Sequence, residues 1–264
     1  MIKLLGVPYD LNSSFLRGPA QAPPRIRLME TDGSANTASE IGVDIVEGVV
    51  YQDLGDLDLQ NCNPEEAFGN IRERVKDEIS REDRLICLGG DHSVSFPIID
   101  AYSDEYKNLN VLHLDAHGDL YENFDDNPFS HASPFARLLE KGRITSLTQV
   151  GIRTLNQHQR EQIDKYAVRV IEARDHSLDF LKSLAGPLYL SLDLDVLDPA
   201  FAPGISHHEP GGLSTRDVLE IIHQLPVQLV GADIVEYNPT RDVNNMTAMV
   251  AYKLFKEIAA NMYS

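Results

Sequence analysis

The sequence predicts an α/β fold, a mostly parallel sheet covered by helices on both faces. Two observations carry that prediction. From about residue 84 onwards, short apolar runs of strand length alternate with longer stretches of helical pattern. Several of those runs, including Leu85-Ile86-Cys87-Leu88 and Val111-Leu112-His113-Leu114, end abruptly in glycine, histidine or aspartate. An apolar run with charge at its end reads as a strand buried on both faces whose carboxyl terminus opens into a site.

The elements follow in chain order. Met1 to Val7 is strand-like, and Pro23-Pro24 then suits a helix start, because proline at the first helical position gives up no needed hydrogen bond. That helix should run to about Met29. Ile45 to Val50 is the second strand candidate, closed by Asp53, Gly55 and Asp56 as turn residues. Asn63-Pro64-Glu65-Glu66 combines a cap, a first-turn proline and acids placed against the helix dipole, and opens a helix to about Ile79. Further strands are expected near 84–88, 110–114, 147–151, 167–171, 188–192 and 227–234. Helices should fill 96–106, 134–141, 157–165, 178–184, 215–224 and 247–261. Ser214 with Asp217 forms a capping box, and Gly142 is placed to stop the helix before it. No linker rich in Gly, Pro or Ser divides the 264 residues, so the expectation is a single domain over 1–264.

Composition narrows the function. The chain is 42% hydrophobic and 24% charged, as an ordinary globular protein is. No apolar run approaches membrane-spanning length, and Met1 leads at once into a strand, which points to a cytoplasmic protein. Cys62 and Cys87 are the two cysteines, too few for a disulfide framework or a thiolate zinc site. The formal net charge of −18 argues against nucleic-acid or anionic-membrane partners and favours a cationic small molecule.

Four strand ends carry unusual chemistry: Gly89-Gly90-Asp91-His92-Ser93, Asp115-Ala116-His117-Gly118-Asp119, Asp193-Leu194-Asp195 and Glu236. Taken singly, His92 reads more simply as a turn residue, and Asp193 with Asp195 as turn acids. Asp115, His117 and Asp119 are more specific, because acids and an imidazole at the end of a buried strand are not cheaply solvated without a cation. All would face one rim. The set His92, Asp115, His117, Asp119, Asp193 and Asp195 offers hard oxygens with two imidazoles and no thiolate, a mixture that suits manganese better than structural zinc. His113 reads as a core residue, and His158, His176 and His223 as surface residues.

Gly-Gly-Asp-His-Ser, Asp-Ala-His-x-Asp and the run Ser191 to Pro199 resemble the three signatures of the ureohydrolase family, the arginases, agmatinases and related amidinohydrolases, and the likeness covers nearly the whole chain. Asn12 to Leu16, Ala22 to Arg27, Tyr121 with Phe124, Ser130 to Ser133 and the stretch from Asp198 to Met249 resemble the plant-type arginases. The resemblance implies a three-layer α/β/α sandwich, two Mn²⁺ ions per subunit and a trimeric or hexameric homo-oligomer. One ion would take His92, Asp115, Asp119 and Asp193; the other Asp115, His117, Asp193 and Asp195, so that Asp115 and Asp193 bridge. It further implies attack of a metal-bridging hydroxide on the guanidinium carbon of L-arginine, giving urea and ornithine. Glu236, within Asp233-Ile234-Val235-Glu236-Tyr237-Asn238-Pro239, would hold the guanidinium, Asp119 would relay a proton to the departing amine, and His131 would shuttle protons to water and line the substrate site. His207 and Tyr121 are further candidate substrate contacts. His207 lies in Gly204-Ile205-Ser206-His207-His208-Glu209-Pro210-Gly211-Gly212, where agmatinases usually carry Gly-Thr-Gly-Thr-Pro. The alternatives are an agmatinase or another guanidino-compound hydrolase and, more remotely, a catalytically silent metal-binding subunit.

Overall fold

In a computed structural model, described over residues 1–79 and 83–263, eight strands form one sheet, and every neighbouring pair is parallel. The strands are β1 (Ile2–Gly6), β2 (Tyr51–Asp56), β3 (Arg84–Leu88), β4 (Asn110–Leu114), β5 (Ser146–Ile152), β6 (Arg169–Glu172), β7 (Leu188–Asp193) and β8 (Leu229–Val235). Their spatial order is β2-β1-β3-β8-β7-β4-β5-β6. The α-helices are α1 (Ala22–Thr31), α2 (Pro64–Glu78), α3 (Ser95–Glu105), α4 (Pro134–Glu140), α5 (Gln157–Tyr166), α6 (Thr215–His223) and α7 (Met246–Tyr263).

Alternation along the strands explains the layers. Side chains two apart share a face. Leu4, Ile86, Leu88, Leu112, Leu114, Leu190 and Leu192 pack with α1, α6 and α7, whereas Leu5, Leu85, Cys87, Val111 and Tyr189 pack with α2, α3 and α4. Two apolar cores, one on each face, make the expected three-layer sandwich. Each fully buried aliphatic side chain in them contributes roughly 1.5–3 kcal/mol over leaving it in water.

The caps form as read. Asn63 and Ser214 each accept from the backbone three residues on and complete capping boxes with Glu66 and Asp217, and Gly142 follows α4 at φ +60°. Two elements differ from expectation. The second strand is Tyr51–Asp56, not Ile45–Val50; the apolar residues before it pass through a turn, and the supposed turn residues Asp53, Gly55 and Asp56 are in the strand. At the edge of the sheet, β2 has β1 as its one neighbour among the described strands, and three of its six residues are exposed, so it lacks the apolar signature of the central strands. The segment expected as a helix over 178–184 is a 3-10 helix, Leu178–Ser183. Among the described residues, no helix is long and apolar enough to cross a membrane.

The sheet order has one outcome that matters for the site. The four strands that end in chemistry, β3, β8, β7 and β4, are neighbours at its centre. The residues after them therefore meet without any helix having to carry them there.

Candidate metal centre

The centre is built by short turns. After β3, Asp91 N–H donates to Tyr9 O at 2.9 Å, and a Cβ on Gly90 would stand 1.8 Å from that same oxygen, so only glycine allows the approach. Asp91 then caps the 3-10 turn that opens at His92, accepting from Ser93 N–H at 3.1 Å. After β4, Asp115 N–H still donates to Val150 O on β5, and the chain then leaves the sheet, with Asp119 in the left-handed region at φ +48°. After β7, Asp193 Oδ1 accepts from Asp195 N–H at 2.8 Å, while Asp195 Oδ1 accepts from Ala116 N–H at 3.0 Å and ties this turn to the one after β4. After β8, Glu236 sits at φ +63°, a strained conformation for a glutamate, fixed by its N–H donating to Gly90 O at 2.9 Å.

These turns bring all six expected ligands into two adjoining clusters. His92 Nδ1 lies 3.0 Å from Asp115 Oδ2, 3.0 Å from Asp119 Oδ2 and 3.1 Å from Asp193 Oδ2. His117 Nδ1 lies 2.9 Å from Asp195 Oδ2 and 3.4 Å from Asp115 Oδ1. Asp115 thus faces both clusters with different oxygens. His92 Nδ1 is buried and makes no hydrogen bond. An imidazole nitrogen ringed by three carboxylate oxygens, with a second imidazole–carboxylate pair beside it, is a donor set that fits divalent cations.

The electrostatics agree with that fit. Burial alone would lower the His92 imidazole, yet Asp115, Asp119 and Asp193 hold it well above its ordinary value. Asp193 is raised by burial and by the neighbouring Asp195 and Asp115, and Asp195 is pushed up to about 6 by burial and Asp115. Packed carboxylates of this kind resist ionising together unless positive charge stands between them.

Sequence reasoning missed the residues behind the ligands. His113, expected only as core, is fully buried, and its Nε2 lies 2.7 Å from Asp115 Oδ2 while Gln149 Nε2 stands 3.0 Å from its Nδ1. His92 Nε2 meets Ser191 Oγ at 3.1 Å; that hydroxyl donates to Asp233 Oδ1 at 2.8 Å, and Tyr189 OH donates to Asp233 Oδ2 at 2.9 Å. A signal was present, since His113 and Asp115, like Ser191 and Asp193, are two residues apart on a strand and share a face. His223, expected at the surface, is half-buried and pairs with the buried Glu257 at 2.8 Å, a contact made across α6 and α7 that local pattern cannot show.

Beside the clusters, His131 Nδ1 lies 2.7 Å from Glu236 Oε1, and the same oxygen accepts from His92 N–H at 2.9 Å. Burial lowers the His131 imidazole, but Glu236, with Asp91 and Asp119 behind it, outweighs that and brings it up to about 9. In return His131 holds the buried Glu236 carboxyl below its ordinary value. His207 faces this cavity, its ring 5.4 Å from His131 and 6.0 Å from His117. Tyr121 also lines it, stacked on His158 at 5.6 Å, with its hydroxyl accepting from Asn156 Nδ2 at 2.6 Å. Thr154, Gln159 and Glu209 also line it and carried no local signal.

A profile of the Arginase family matches residues 1–260. The chain belongs to the arginase family. "Arginase 1, mitochondrial" of Arabidopsis thaliana is 48% identical, over 98% of this chain and 80% of that protein. "Arginase 2, chloroplastic/mitochondrial" of the same plant is 46% identical, with the same shares covered. The solved structure of arginase from Medicago truncatula superposes with a TM-score of 0.93 at 43% identity, covering 99% of this chain and 87% of that one. The arginase family is metal-dependent and acts on guanidino small molecules, in agreement with the acidic cavity and its His/Asp clusters. The expected cytoplasmic location is corrected by these names, which place both Arabidopsis relatives in organelles. A compartment address is not part of the folded domain, so the strand at residues 2–6 carries no information about it.

Proposed function

We propose that this chain, folded as a single domain over 1–264 and assembled as a trimer or hexamer, hydrolyses L-arginine to urea and ornithine with two Mn²⁺ ions per subunit. The observation that carries the reading is the pair of adjoining donor clusters, His92 with Asp115, Asp119 and Asp193, and His117 with Asp195 and Asp115, at the floor of one cavity. His92, Asp115, Asp119 and Asp193 would hold one ion and Asp115, His117, Asp193 and Asp195 the other. When bound, the ions supply an acidified water, the nucleophile that a resonance-stabilised guanidinium carbon demands near neutral pH.

The chain's own residues do the rest. The Glu236 carboxylate, held ionised by His131, accepts hydrogen bonds from the guanidinium N–H groups and fixes the carbon above the clusters. Asp119, on the cavity wall, relays a proton to the amine as the C–N bond breaks. His131 exchanges protons with bulk water, and the overall balance is one water consumed, with urea and ornithine released. His207 and Tyr121 line the path of the substrate's tail.

Urea release from L-arginine, agmatine and 4-guanidinobutyrate by Mn²⁺-loaded protein tests the reading. Turnover of arginine at least tenfold above the others is expected. Agmatine preferred over arginine would reassign the tail specificity, and urea from none of them would favour the silent metal-binding subunit.

A further inference from the structure

Ser14 lies on the loop between β1 and α1, outside the three strand-end signatures, yet it is the partner of His131 on the side away from Glu236. Its backbone N–H points at His131 Nε2 from 3.1 Å, and its Oγ stands 2.8 Å from the same atom. A backbone N–H can only donate, so it needs a lone pair on Nε2 and leaves the ring proton on Nδ1, where it faces Glu236 Oε1 at 2.7 Å. The hydroxyl has no such restriction. It donates to bare Nε2 and, by rotating, accepts from Nε2–H once the ring takes up a second proton.

The loop is built to hold Ser14 there. Asp91, one residue before His92, accepts from Asn12 N–H at 3.0 Å and from Ser13 Oγ at 3.2 Å, Asn12 Nδ2 donates to Ser93 Oγ at 3.0 Å, and Asp10 Oδ2 accepts from Gly18 N–H at 2.7 Å. His131 is buried, whereas Ser14 is exposed at the rim of the cavity. From these contacts we infer that Ser14 is a positioning residue for proton transfer: its N–H sets the His131 tautomer, and its hydroxyl passes the Nε2 proton between the buried ring and solvent. No bond other than O–H and N–H forms or breaks; one proton enters the hydroxyl as another leaves it. The charged and titratable groups facing His131 are Glu236, Asp91, Asp119 and His207, and none of them stands between Nε2 and water as Ser14 does.

The inference rests on the proposed hydrolysis only for its kinetic arm. Ser14→Ala keeps the N–H and removes the hydroxyl. In the Mn²⁺-loaded enzyme, kcat on the preferred guanidino substrate should fall about 10- to 100-fold, up to the lower end of general acid–base contributions because His131 itself remains, with KM changed less than twofold. Ser14→Thr should restore most of kcat, and added imidazole should partly rescue Ser14→Ala. A rise in KM at unchanged kcat, or no change in either, would overturn the assignment. Independently of turnover, ¹⁵N NMR of the ring nitrogens in the wild-type metal-free protein should find His131 protonated on Nδ1 and bare on Nε2 at alkaline pH. The opposite tautomer would refute the role of the Ser14 N–H even if no guanidino substrate were hydrolysed.

Discussion

Ser191 is the residue that decides how His92 presents itself. With Nδ1 given to a bound cation, His92 would carry its proton on Nε2, where Ser191 Oγ stands 3.1 Å away to accept it while donating onward to Asp233. Partners of this kind fix the orientation of a metal-binding imidazole and raise its basicity. Ser191→Ala should therefore weaken Mn²⁺ binding by about 10- to 100-fold, read by competition with a fluorescent chelator. Unchanged affinity would mean that packing against Phe135, whose ring centroid lies 5.4 Å away, is enough to hold His92. The contrast with the ligands explains what the sequence could reveal at this scale. Asp115, His117 and Asp119 were legible because charge at the end of an apolar run is anomalous. The support that Ser191, His113 and Asp233 give them was not, because a polar residue inside a strand shows no partner until its neighbours across the sheet are known.

Among the elements, the segment from Asn36 to Val50 was the least legible, and it is held by long-range charge rather than by pattern. Glu40 takes a two-point contact from Arg216 of α6, at 2.6 and 3.0 Å, and lies 3.3 Å from Lys253 of α7. Its N–H donates to the buried Glu257 at 2.9 Å. Arg216 is 176 residues from Glu40 in the chain, so no local window contains the reason for this fold. The Arg216 hydrogen bond, with Lys253 beside it, lowers Glu40 from its ordinary 4.5 to about 2 against burial. A depressed carboxyl stabilises the fold above its unfolded pKa and loses that contribution as pH falls through its folded one. Because Glu40 is more than a third exposed, solvent screening limits the contribution to about 0.5–1 kcal/mol. Urea unfolding should accordingly find Glu40→Gln less stable than wild type by about that amount at pH 7, with the gap narrowing between pH 4.5 and 2. A gap independent of pH would assign the effect to packing instead. By contrast, the capping boxes at Asn63 and Ser214 lie wholly within four consecutive residues each, which is why those helix starts could be read directly.

For the molecule as a whole, the central fact is the concentration of negative charge. A net −18 is distributed so that Asp119, Asp193, Asp195 and Glu236 line one cavity, with Asp115 buried beside it against His92 and His117. Cations that bind only the folded state stabilise it by mass action. Stripping metal with EDTA should lower Tm, adding Mn²⁺ should restore it, and Mg²⁺ at the same concentration should restore it less, since a donor set with two imidazoles suits manganese better; calorimetry of the three states would check this, and a Tm indifferent to EDTA would count against a resident metal. The order in which the sheet is made adds a constraint in time. β8 follows both β3 and β7 in the chain yet is inserted between them, and Glu236 follows it. Until then the nascent sheet is two halves with exposed edges, and the aspartates after β4 and β7 are not yet joined to His92. Vectorial synthesis would thus postpone metal loading until β8 has emerged, and a chain truncated before residue 229 should be both metal-free and prone to aggregate.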